Sequence, residues 1–122
     1  MSKKILLVED DQFLIDIYTT KLKEAGFEVE VAQDGEEVLA KIKEQKPDLM
    51  LLDIVLPQLN GWEIMEKLKQ DQGLKGLKVI ILSNLGQKGE VEKGLKMGAV
   101  RYLIKAQHTP KQVVEEIKEV LK

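Results

Sequence analysis

Residues 48–61 read DLMLLDIVLPQLNG. Four apolar residues, Leu49 to Leu52, lead up to Asp53 and three more, Ile54 to Leu56, follow it, so a carboxylate stands in the most water-averse part of the chain. An unbroken apolar run of this length reads as a strand buried on both faces, with IVLPQLNG then turning the chain toward a helix. Asp53 is then the first residue past the carboxyl end of a central strand.

Four similar runs accompany it: Ile5 to Val8, Val29 to Ala32, Val79 to Leu82 and Val100 to Ile104. Between them apolar residues recur at helical spacing, as in Leu14, Ile17, Tyr18 and Leu22, or Val113, Val114, Ile117, Val120 and Leu121. The repeat is (βα)5. Gly26, Gly73 and Gly98 fall where helices should stop, Pro47 should end the second helical segment, and Thr109-Pro110 supplies an N-cap followed by proline at the first helical position. ILLV, LMLL and VIIL are continuously apolar, whereas EVEVA alternates and VRYLI carries Arg101, which makes the second and fifth strands the edges. Right-handed crossovers then favour an α/β doubly wound, five-stranded parallel sheet in the order 2-1-3-4-5, a flavodoxin-like fold.

Composition sets the outer limits. The 122 residues fit one domain, 1–122, long enough to bury roughly two thirds of its unfolded surface. A net charge of -2, with 19 Lys and Arg scattered among helices, argues against nucleic acid or an anionic membrane as a direct partner. There is no cysteine and a single histidine, so neither a disulfide frame nor a zinc site is expected. MSKKILLVEDD lacks the long apolar core of a signal peptide, and a cytoplasmic location is expected.

In doubly wound sheets ligands bind outside the carboxyl ends of the strands, at the switch point between strands 1 and 3. The residues just past the strands are Glu9-Asp10-Asp11, Asp53, Ser83-Asn84 and Lys105. Carboxylates crowded there repel one another unless a cation joins them, and Mg²⁺, a hard ion seeking oxygen ligands, fits. Asp10 and Asp53 are the candidate direct ligands, Glu9 acts through a bound water, and the backbone carbonyl of Val55 is a further candidate. A metal, a carboxylate, a hydroxyl and an ammonium suit phosphoryl chemistry, with Asp53 as nucleophile, Ser83 as donor and Lys105 as neutralising cation.

ILLVEDD, LLDIVLPQLNG, VIILSN and GAVRYLIK together resemble the receiver domain of two-component response regulators, across essentially the whole chain. The resemblance implies Asp53 as phosphoacceptor, Glu9 and Asp10 as the acidic Mg²⁺ pocket, Ser83 and Lys105 as phosphoryl partners, and Tyr102 as a switch aromatic that turns inward when Ser83 moves toward the phosphate. It also implies a sensor histidine kinase or phosphotransfer protein as donor, and a protein target or covalently attached output domain as receiver of the signal. A phosphorylation-dependent homodimer belongs to the same set of expectations. Ala106 stands where the family commonly has proline, so that loop is expected to be trans, and Val100-Arg101 replaces the acidic pair that precedes the aromatic in many DNA-binding regulators. Asn84 replaces a smaller residue after the hydroxyl and should narrow access to the phosphate.

GQKGEVEKGLKMG, the fourth helix, carries Gly89 and Gly94, each costing about 1 kcal/mol relative to alanine, so this helix should be marginal and suited to switching. The competing reading for Gly94 is close packing on the sheet. Val55 and Leu85, two residues beyond Asp53 and Ser83, are apolar and cannot orient water, and the resemblance to receivers, where these positions bear on phosphate lifetime, implies slow loss of the phosphate. Val55 also stands where a strand-end phosphatase would need a general acid, so the chain is expected to catalyse only its own phosphorylation and slow dephosphorylation. An acidic EDDQ after the first strand argues against a flavin carrier. The remaining alternative is a non-signalling receiver-like interaction module or an engineered scaffold.

Overall fold

The computed structural model describes residues 2–74 and 76–122. Strands β1 (Lys4–Val8), β2 (Glu28–Ala32), β3 (Leu49–Leu52), β4 (Lys78–Ser83) and β5 (Arg101–Ile104) alternate with helices α1 (Gln12–Glu24), α2 (Gly35–Glu44), α3 (Gly61–Gln70), α4 (Lys88–Lys96) and α5 (Pro110–Val120). All strand pairs are parallel, and the order is β2-β1-β3-β4-β5, as the hydrophobic pattern requires. β1 and β3 are buried along their whole length, whereas β2 and β5 are half covered. Tyr18, Leu22, Val113, Val114 and Ile117 of α1 and α5 cover one face. Val38, Ile42, Ile64, Met65 and Leu68 of α2 and α3 cover the other.

Helix starts follow the sequence signals. Thr109 caps α5 through the Gln112 amide, with Pro110 at the first turn, and Asn60 and Glu63 form a reciprocal capping box on α3. Gly26 and Gly98 end α1 and α4 with φ of 93 and 112. Gly73 does not end α3. That helix stops at Gln70 because the Asp71 side chain accepts the Gly73 amide and turns the chain into the 3-10 helix Gln72–Leu74. β5 starts one residue later than its apolar run, although the Val100 amide already bonds the Val79 carbonyl at 2.8 Å. Ser83 is the last residue of β4, opposite Ile104, rather than the first residue after it.

Candidate functional site

Register brings the site together. Val8 pairs with both Ala32 and Leu52, so Glu9 and Asp53 emerge side by side, and the Asp53 amide donates to the Val8 carbonyl at 3.1 Å. The chain after Asp53 folds straight back: the Gly61 amide reaches the Ile54 carbonyl at 2.8 Å, and a Cβ at Gly61 would lie 2.6 Å from the Ile54 Cα. Only glycine fits there. This close return, with Gln58 in a left-handed turn (φ 66), anchors the Asp53 loop to the start of α3.

Asp53 and Glu9 are 6% and 2% exposed, and two ionised carboxylates at that depth need a compensating charge. Lys105 supplies it from the end of β5, with Nζ 2.7 Å from Asp53 Oδ2 and 2.6 Å from Glu9 Oε1. The other oxygens are also engaged. Glu9 Oε2 accepts the Asp10 and Asp11 amides at 3.2 Å each, and Asp53 Oδ1 accepts the Val55 amide at 3.1 Å. Burial raises the Glu9 carboxyl above its ordinary value, outweighing the opposing pull of Lys105. For Lys105, burial works against the charge, but the hydrogen bonds to Asp53 and Glu9 prevail and the ammonium titrates above its ordinary value. Burial weighs against ionising Glu9, and Lys105 is held as a cation.

Asp10 is exposed, beside this pair, and Glu9, Asp10 and Asp53 can each offer an oxygen within 4.8 Å of the others. Opposite ligands of a Mg²⁺ ion lie about 4.2 Å apart, so these hard oxygen donors suit the ion if one of the three reaches it through water. A hollow of about 320 Å³ opens over them, and Asp11, Leu14, Val55, Asn84 and Lys105 complete its wall with Ser83. Val55 and Asn84 are exposed on this wall, while Ser83 is fully buried at the end of its strand.

The sequence did not announce two further connections. Ser83 Oγ accepts the Leu85 amide at 3.3 Å, and the Tyr102 hydroxyl donates to the Leu85 carbonyl, so one backbone unit links the hydroxyl to the aromatic. Burial, followed by smaller contributions from Glu90 and Asp53, holds the Tyr102 phenol above its ordinary titration range, keeping it a donor. Asp11 caps α1 through the Phe13 and Leu14 amides while it lines the hollow. An acidic residue directly before an apolar helical period is a readable cap signal. The Lys105-Ala106 peptide is trans and enters the 3-10 helix Lys105–Gln107.

A strand-end carboxylate paired to a lysine, in a doubly wound sheet of this order, defines the receiver class of signalling domains. The family model for the response regulator receiver domain matches residues 5–118, and the chain belongs to that family. It is 34% identical, over its full length, to the alkaline phosphatase synthesis transcriptional regulatory protein PhoP of Bacillus subtilis (strain 168), of which it covers 50%. The chain thus spans about half the length of the curated relatives it matches. Among solved structures, the CheY-like response regulator receiver domain protein of Methanospirillum hungatei JF-1 is 34% identical with a TM-score of 0.86, covering 99% of this chain and 94% of that one. The chemotaxis protein CheY4 of Vibrio cholerae is 26% identical with a TM-score of 0.89, covering 98% of this chain and 99% of that one. Among the described residues no helix is long and apolar enough to cross a membrane.

Proposed function

We propose that this chain is the phosphoacceptor of a two-component system, taking a phosphoryl group from a histidine kinase or phosphotransfer protein onto Asp53. The observation that carries this reading is the bridge from Lys105 Nζ to Asp53 and Glu9 within a three-carboxylate cluster. One Asp53 oxygen attacks the phosphorus of a phosphohistidine, a P–O bond forms as the P–N bond breaks, and the departing imidazole takes up a proton from water. Lys105 shifts from the Asp53 carboxylate to the phosphoryl oxygens. Ser83 donates to another of those oxygens. Asp10, Asp53, the Val55 carbonyl and a water on Glu9 would hold Mg²⁺, which when bound supplies positive charge to the carboxylates and the transferring group.

The output is a changed surface formed by α4, β5 and α5, read by a protein target or an attached output domain. Leu85, tied to both Ser83 and Tyr102, is the route from the phosphate to that surface. A homodimer through this face would lack one familiar charge pattern: Arg101 is already engaged by Glu116 and Glu119 of its own α5, at 3.6 and 3.9 Å. Residues 1–122 act as a single domain, the chain works in the cytoplasm, and it turns over no external substrate. Phosphate loss is slow because the exposed Val55 presents no group to align water.

Incubation with Mg²⁺ and either acetyl phosphate or beryllofluoride should give an adduct, detected by intact mass or NMR, that is lost in Asp53→Asn. No adduct, or an equal one in Asp53→Asn, overturns the reading. A phosphoryl half-life of seconds would overturn the slow-hydrolysis part alone.

A further inference from the structure

The seam between α3 and α4 is poorly filled. One hollow of about 370 Å³ opens between Lys69 of α3 and Gly89, Glu92, Lys93 and Lys96 of α4, and a second of about 260 Å³ lies past the end of α4, over Met65, Leu68, Val79 and Met97. Of the α4 side chains none is fully buried, Glu90 and Val91 are half-buried, and the helix backbone comes closest to the sheet at Gly94: a Cβ there would come within 2.7 Å of both Ile81 Cδ1 and Tyr102 Cδ2. Across the top of the seam, Lys93 Nζ stands 4.5 Å from the centre of the Trp62 ring, within the range of an attractive cation–π contact. The two ends of that contact belong to differently anchored bodies. Trp62 is half-buried in the first turn of α3, next to Gly61, which is pinned to the backbone of Ile54. Lys93 is exposed on α4, downstream of the Ser83–Leu85–Tyr102 connection.

We propose that Lys93 is a positioning residue for the Asp53 site: its contact with Trp62 holds α4 in the arrangement of the unphosphorylated chain, and phosphoryl capture releases it. The inference rests on the phosphoacceptor reading. An interaction made in one state and lost in the other biases the equilibrium by its own strength and no more. A partly exposed cation–π contact is worth a factor of about two to five in that equilibrium. Removing it lets α4 follow Ser83 at lower cost, and the site gains affinity for a phosphoryl group by the same factor.

Beryllofluoride affinity, measured in Mg²⁺ buffer by amide NMR and by emission from the single tryptophan, tests this. In the wild type, binding should shift the Trp62 emission as Lys93 departs. Lys93→Met, which keeps the aliphatic stem, should bind beryllofluoride about two- to five-fold more tightly, and Lys93→Arg, which keeps the cation, should restore the wild-type affinity. Equal or weaker binding by Lys93→Met, or Lys93→Arg behaving like Lys93→Met, overturns the role of Lys93 while Asp53-dependent binding stands. Absent binding in the wild type, or binding unchanged in Asp53→Asn, overturns the phosphoacceptor reading and this inference with it.

Discussion

On one face of the sheet α1 and α5 bury Tyr18, Leu22, Val113, Val114 and Ile117 in a continuous cluster; on the other, α4 buries only Gly94 and leaves Leu95 47% exposed. Both faces descend from strands of the same apolar character. The difference lies in the helices: α5 carries a full apolar stripe, whereas GEVEKGLK in α4 has two glycines and only Val91 and Leu95 to offer. Local opening is least costly where few apolar contacts are made. Firmly packed α1 and α5 lie against the face of β1 and β5, whose ends lead into Glu9 and Lys105; on the other face α2 and α3 are packed as firmly, and α4, beside Ser83, is the loosely seated helix.

The largest test of that contrast is a pair of truncations. Ile117→Ala, at a site with no exposure, should lower unfolding free energy by about 2–5 kcal/mol, and Leu95→Ala on α4 should change it by no more than about 0.5 kcal/mol. Similar losses in urea titrations would mean that α4 is packed as firmly as α5.

A smaller effect separates the two glycines of α4. The Cβ added by Gly94→Ala would press on Ile81 and Tyr102, a cost of about 1–3 kcal/mol that exceeds the roughly 1 kcal/mol gained in helix propensity. Gly89 has nothing within 4 Å, so Gly89→Ala should stabilise by up to about 1 kcal/mol. Thermal melts should therefore move in opposite directions. Gly94 is explained by close packing, and the melt of Gly89→Ala tests the expectation that α4 is marginal.

The smallest effect is a pH slope at the firmly held end. Because burial raises Glu9 above its ordinary 4.5, folding favours its protonated form, and stability in chelator should fall as pH rises from 4.5 through the folded value. Glu9→Gln should remove that part of the slope. Lys105 behaves oppositely at the alkaline end: raised above 10.5, it contributes fully below that pH and loses its contribution as pH climbs through the folded value. Unfolding curves across both windows check the two signs.

Much of this could be read from the chain itself. Continuous apolar runs ordered the sheet because a central parallel strand has two covered faces and an edge strand does not. β3 matches its apolar run residue for residue, and Asp53 falls just past it. Periodicity, however, records how one element is buried and says nothing of what its ends meet. Lys105 lies 96 residues from Glu9 and 52 from Asp53, and only the register of β1, β3, β4 and β5 delivers its ammonium to both carboxylates. The same is true of Gly94 against Tyr102, of Leu85 between Ser83 and Tyr102, and of Lys93 over Trp62. Sequence determined the strands, their order and the chemistry at their ends, since these follow from local burial patterns and residue type. Tertiary structure decided which charges neutralise one another and which helix is loosely held, since both depend on distances between elements that no local pattern encodes.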